Sequence, residues 1–146
     1  MDVYDKKKRS EVMARIKSTG NQSTEEIFRQ LLIQAGLTGW EFRKPKLPGK
    51  PDFVFEEYKI AVFIDGCFWH GCPHCYDGHI PKSNTKYWAE KIRKNKLRDR
   101  KNSQLLRQIG WSVIRIWECK LKCKPELQIQ RLVKKLEEKS VYEIDF

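Results

Sequence analysis

The chain has 146 residues, about one domain's worth, and its 40% hydrophobic and 12% aromatic content argues for a packed core despite a mean hydropathy of −0.70. No run approaches the roughly 18 apolar residues of a membrane helix, and the opening from Met1 to Arg9 carries charge without an apolar stretch behind it, so a cytoplasmic chain is expected. Thirty Lys and Arg against nineteen Asp and Glu give a net charge of +11, which points to a polyanionic partner.

Residues 8–17 read as a short basic helix carrying Val12, Met13 and Ile16. Ser23 to Glu26 has the form of a capping box, and Ile27, Phe28, Leu31, Leu32 and Ala35 then share one helical stripe that Gly36 ends. A strand at 40–43 leads into the Pro- and Gly-rich loop Lys44–Pro51, and strands at 52–55 and 60–65 follow, joined by the turn 56–59. Next comes an irregular stretch rich in cysteine. A long helix runs from Asn84 or Thr85 to Ile109, closed by Gly110, and 111–118 is an aromatic and β-branched strand. Pro125 opens a last helix with Ile129, Leu132, Val133 and Leu136, and the tail from Glu137 reads as frayed. The order α-β-β-β-α-β-α predicts a single α/β domain with a mixed central sheet flanked by helices.

The long helix carries most of the positive excess. Lys82 to Lys101 holds nine basic residues against Glu90 and Asp99, a net +7, as suits contact with a phosphate backbone. A solvated helix face is the plainer alternative. Trp88, Ile92, Leu106 and Ile109 define the inward stripe of this helix, yet its middle falls on Asn95, Asp99 and Asn102. An inward carboxylate needs a partner, so Asp99 is expected to meet a cationic or donor side chain from the sheet.

The five cysteines are an odd number in a chain read as cytoplasmic, which argues against a disulfide framework. Cys72 and Cys75 have C-x2-C spacing, and with Cys67 and Cys119 they can close a tetrahedral Zn²⁺ site; His74 competes for one position. Asp52 opens one strand and Asp65 closes the next, a placement that brings carboxylates together for an oxygen-seeking ion such as Mg²⁺, with Glu25 as a possible third acid. On a basic surface that combination suggests metal-assisted phosphodiester hydrolysis. His70 fits a zinc ligand, a core histidine or a general base; with four cysteines available for zinc and Asp99 able to orient an imidazole, the base is favoured. Phe68 and Trp69 lie in the metal loop rather than on an apolar stripe, so they can wedge between base pairs or pack locally around zinc.

Leu47 to Val54, Asp65 to Pro73, Tyr87 to Ile92, Asn95 with Arg98 to Arg100, and Gly110-Trp111 with Trp117 to Cys119 together resemble the very-short-patch-repair (Vsr) endonuclease family, in order and spacing from about Asp5 to Leu136. The resemblance implies a fold of the PD-(D/E)xK nuclease type and nicking of duplex DNA 5′ to the thymine of a T·G mismatch. By position it implies Asp52 as principal Mg²⁺ ligand, His70 as base, Asp99 as its support and Glu25 as an assisting carboxylate. Phe68, Trp69 and Trp88 match intercalating aromatics, Met13 an N-terminal wedge within a DNA-contacting arm at 1–20, and Asn95 a further DNA contact. The Asp65 carboxylate or the Ile64 carbonyl would make the second Mg²⁺ contact. The lysine usual in the wider superfamily is absent, which fits a histidine in its place.

These implications describe a monomeric Mg²⁺-dependent DNA endonuclease with structural zinc, whose contacts with mismatch-repair proteins stay open. A restriction-type nuclease cutting paired DNA is the nearest rival, and a non-catalytic zinc-containing DNA-binding module is the second.

Overall fold

The computed structural model describes residues 22–44, 46–75 and 78–144; the helix expected at 8–17, with Met13, lies outside them. The first described helix, α1 (Gln22–Gln34), begins one residue ahead of Ser23. It buries Phe28 and Leu32 completely, while Ile27 on the same expected stripe is exposed. Gly36 then reverses the chain at φ +72°. Strand β1 (Glu41–Phe42) is shorter than expected, and β2 (Phe53–Phe55) and β3 (Ile60–Asp65) form an antiparallel pair. After β3 the chain forms one helical turn, α2 (Cys67–His70), where an irregular stretch was expected. The long helix α3 (Thr85–Gln108), strand β4 (Ser112–Trp117), the short helix α4 (Glu118–Cys123) and α5 (Pro125–Ile144) complete the order. Helix α5 continues well past Glu137, where the sequence suggests fraying.

The sheet order is β1-β2-β3-β4, antiparallel except for the parallel β3–β4 pair, which makes it mixed as expected. Strand alternation divides the side chains between its two faces. Ile60, Val62, Ile64, Ile114 and Ile116 pack against Phe28, Leu32, Leu121 and Leu132 of α1, α4 and α5. Ala61, Phe63 and Val113 turn the other way, onto Leu106 of α3 and Trp111. Two residues further along that second face come Asp65 and Arg115, so the pleat itself delivers polar groups beneath α3.

Helix α3 buries Ile92, Ser103 and Leu106, but Ile109 is 54% exposed, contrary to its place in the expected stripe. The helix ends at Gln108, so Ile109 sits in the cap, turned away from the sheet. Two glycines bring α3 close to the loops. At Gly71 (φ +64°) a Cβ would lie 2.5 Å from Lys96 Cε and 2.7 Å from Ile92 Cγ2, so only glycine lets α2 end against α3. At Gly49 (φ +77°) a Cβ would approach Asn102 Cβ to 3.0 Å and the Phe63 ring to 3.1 Å, which fixes the loop before β2 as a rim over the sheet. No helix among the described residues is long and apolar enough to cross a membrane.

Candidate active site and metal centre

The Gly49 rim, the ends of β2 and β3, and α3 enclose a cleft of about 460 Å³. Lys50, Asp52, Asp65, His70, Arg98 and Asp99 line it. The structure thus collects Asp52, Asp65, His70 and Asp99, all expected from sequence, and adds three cations on the cleft walls, Lys50, Arg98 and Arg115. Asp52 is held by backbone on both sides: its N–H donates to the Val62 carbonyl at 3.0 Å, and its Oδ2 accepts the Ile64 N–H at 2.7 Å. Burial, with the neighbouring Glu25 and Asp65 carboxyls, pushes the Asp52 carboxyl up to about 7, although the Ile64 N–H favours its charged form.

Glu25 reaches this acid from the first turn of α1 and is only 7% exposed. Arg43, just beyond β1, donates to Glu25 Oε2 at 3.0 Å. One turn of α1 therefore brings a second carboxylate to Asp52, and Arg43 offsets part of its charge.

His70 ends α2, where its Nδ1–H donates to Asp99 Oδ2 and lies 3.9 Å from Asp65 Oδ1. Asp99 therefore has a partner, but it comes from the helical turn after β3 and not from the sheet. The donor that the sheet does supply, Arg115, bonds to the Asp99 backbone carbonyl. Burial lowers the affinity of His70 for a proton; the Asp99 hydrogen bond and the charges of Asp65 and Asp99 outweigh it, leaving the imidazole above its ordinary value.

Both carboxylate oxygens of Asp65 accept from Arg115 Nη1, at 3.0 and 3.1 Å. Burial raises the Asp65 carboxyl while Arg115 and His70 pull it back. Arg115 is absent from the residues singled out in the sequence. Its signal is an arginine inside a β-branched strand that the fold covers on both faces, a position that requires a buried acid.

At the C-terminal ends of β3 and β4 the Sγ atoms of Cys67, Cys72, Cys75 and Cys119 all lie within 4.8 Å of one another. A tetrahedral ion with bonds of about 2.3 Å sets its sulfurs about 3.8 Å apart, and the Cys72 and Cys119 sulfurs are 3.8 Å apart. The donor set fits zinc. Without a cation, burial raises the Cys119 thiol to about 11 and pushes Cys67 further still. A bound metal would hold them as thiolates. His74 is exposed and joins the group through its backbone N–H to Cys72 Sγ, so the cysteine alternative has the better placement.

Beside this centre Phe68, Trp69 and Trp88 form a triangle of edge-on rings with centroids 5.2 to 5.9 Å apart. Tyr87 stacks edge-on against Trp88 at 5.0 Å, and Trp69 is 50% exposed. Asn95, read as a DNA contact, donates to the Trp69 carbonyl at 2.8 Å and so braces the aromatic loop from α3.

A family model described as DNA mismatch endonuclease Vsr matches residues 1–77. The DNA mismatch endonuclease Vsr of Escherichia coli K12 is 41% identical over 137 residues, covering 94% of this chain and 86% of that protein. The type II nicking enzyme V.NmeAIP of Neisseria meningitidis serogroup A is 43% identical over 141 residues, covering 94% and 97%. These likenesses, with the carboxylate-bearing cleft on a basic chain, define a DNA endonuclease, a hydrolase. The chain belongs to the Vsr family of DNA mismatch endonucleases.

Proposed function

We propose that the protein nicks double-stranded DNA on the 5′ side of the thymine in a T·G mismatch, acting as a monomeric, Mg²⁺-dependent, cytoplasmic enzyme on a single PD-(D/E)xK-type domain. The observation that carries this reading is the grouping of Asp52, His70 and Asp99 on one cleft, beside an exposed aromatic cluster. The buried Asp52 carboxyl, crowded by Glu25 and raised to about 7, suits a divalent cation that relieves their repulsion. Asp52 would be the principal ligand. Because Arg115 holds both Asp65 oxygens, we assign the second contact to the Ile64 carbonyl.

Mg²⁺ bound there would polarise the scissile phosphate and lower the pKa of water. The protein's own part follows from its geometry. Asp99 keeps a proton on His70 Nδ1, which leaves Nε2 as the basic nitrogen that takes a proton from the attacking water. Lys50 and Arg98 offer positive charge to the phosphodiester from the cleft walls. The deciding assay measures nicking with Mg²⁺ on duplexes that differ only at a T·G or T·A pair. Cutting confined to the T·G duplex is expected; equal cutting of paired DNA would move the protein to a restriction-type activity, and no cutting of either would leave a binding module.

Metal analysis of protein purified without added metal is expected to find one zinc per chain. Cys119→Ser should lower the melting temperature as well as the activity, because Cys119 follows β4 and Cys67 follows β3. Zinc-free protein that melts like the parent would overturn the assignment.

Recognition is assigned to the aromatic triangle, with Met13 and the arm at 1–20 as further contacts. Trp69→Ala should fold normally, since half of the ring already faces solvent, and should keep its salt-dependent affinity for any duplex. Its preference for T·G should fall on the order of tenfold, given stacking worth ~1–3 kcal/mol per base. Titrations on T·G and T·A duplexes measure it; unchanged discrimination would remove Trp69 from this role.

A further inference from the structure

Arg115 has every nitrogen of its guanidinium engaged. Nε donates to Ser103 Oγ at 2.8 Å, Nη1 to both Asp65 oxygens, and Nη2 to the Asp99 carbonyl at 3.1 Å. The plane lies over the Phe63 ring at 4.1 Å. Strand register explains the reach: Arg115 is paired with Phe63 across the parallel ladder, and Asp65 is two residues further along β3 on the same face. One side chain therefore ties β3, β4 and two positions of α3 together at the point where His70 sits.

The position of His70 gives this knot a meaning beyond packing. Its Nδ1 has two acids within reach, Asp99 in hydrogen-bond contact and Asp65 at 3.9 Å. Two carboxylates competing for one ring nitrogen would give the imidazole two orientations, and only one of them is set by Asp99. Asp65 is 5% exposed, so water cannot satisfy it if its cation is removed. The nearest remaining donor would be His70.

We propose that Arg115 is a positioning residue for strand cleavage: by occupying both oxygens of Asp65 it leaves His70 Nδ1 to Asp99 alone and so fixes the face that His70 turns to the cleft. The inference rests on the cleavage site proposed above. It makes Arg115 matter to the rate of cutting without touching DNA, and it makes the requirement for Arg115 conditional on the acid at position 65.

That condition supplies the test. Full-length zinc-loaded wild type, Arg115→Met and the double variant Asp65→Asn/Arg115→Met are compared for single-turnover nicking of a T·G duplex with Mg²⁺. Affinity for the same duplex and melting temperature are measured alongside. Arg115→Met should nick on the order of a hundredfold more slowly, the scale on which a misplacement of about 1 Å acts, with duplex affinity changed less than twofold. The double variant should recover at least about tenfold of that loss, because the competing carboxylate has gone. If Arg115→Met nicks like wild type, or the double variant stays as slow as the single, the proposal is overturned. Should Arg115→Met fail to fold, Arg115→Lys and Asp65→Asn/Arg115→Lys replace the pair: the lysine reaches one Asp65 oxygen, so the double should again be the faster, and equal rates would overturn the proposal. Wild type that leaves the T·G duplex intact would instead count against the proposed function.

Discussion

Asp52→Asn is expected to abolish nicking, with a rate more than about a thousandfold below wild type, and at the same time to make the protein more stable when no Mg²⁺ is present. The loss follows from removing the charge that would hold the cation, whose effect on the transition state is worth several kcal/mol, and each ~1.4 kcal/mol is a factor of ten. The gain follows from the raised carboxyl. Asp52 has an ordinary value of 3.8 and sits at about 7 when folded. Below the first value both states are protonated and the substitution changes little. Between the two, the unfolded chain releases its proton while the folded one retains it, so wild-type stability falls as pH rises. Above about 7 the penalty is complete, and there Asn should raise the melting midpoint by a few degrees, the scale of ~1 kcal/mol in a domain of this size. Melting curves at pH 4 and pH 8 without added Mg²⁺ measure the effect. Equal midpoints at pH 8 would show that Asp52 is not strained, and wild-type nicking by the variant would show that it is not the ligand.

His70→Ala should bind the T·G duplex and cut it about 10²- to 10⁴-fold more slowly, the usual contribution of a positioned proton acceptor. The pH dependence separates this role from a packing role. Burial and the charge of Arg115 oppose protonation of the imidazole, but the Asp99 hydrogen bond and the charges of Asp65 and Asp99 prevail, so its pKa lies above the ordinary 6.5. A base works unprotonated. Wild-type nicking should therefore fall as pH drops through a value higher than that of a free imidazole, and the His70→Ala rate should lack this limb. A wild-type profile without the limb would end the general-base assignment. Asp99→Asn should lie between the two proteins, since it keeps the volume of the side chain but weakens its hold on Nδ1.

The order of elements was legible because each long element carries its own period. The stripe of α1, the paired apolar runs of β2 and β3, and the Gly110 stop after α3 are local signals, and the structure follows them to within a residue or two. Helices α2 and α4, with four and six residues, are too short for periodicity to register. The candidate site was legible where chemistry demanded an unusual residue: an acid at the centre of an inward stripe, a strand that opens on Asp52, four well-spaced thiols. The His70–Asp99 pair, 29 residues apart, was read from its chemistry and from the family resemblance rather than from a local pattern. What stayed hidden was the pairing of Asp65 with Arg115 across a 50-residue gap. Arg43 is hidden for the same reason. Its pairing with Glu25 depends on where β1 lies beside α1, which is a property of the finished sheet.

The placement of the four thiols bears on the order in which the molecule assembles. Cys72 and Cys75 are neighbours in sequence and can meet an ion early, but Cys67 and Cys119 stand 52 residues apart and adjoin only because β3 and β4 lie parallel in register. That parallel pair must wait for the whole of α3 to cross over, and contacts of such separation are the slow ones in folding. An ion held by these thiols would therefore be captured in two stages: a loose hold by the short loop, then closure when the last strand arrives. Its tight binding would then be the final event of folding, a seal on a sheet already made and not the seed around which it forms. A metal-sensitive chromophore mixed with refolding chain should report the closing of β4 against β3 and nothing earlier.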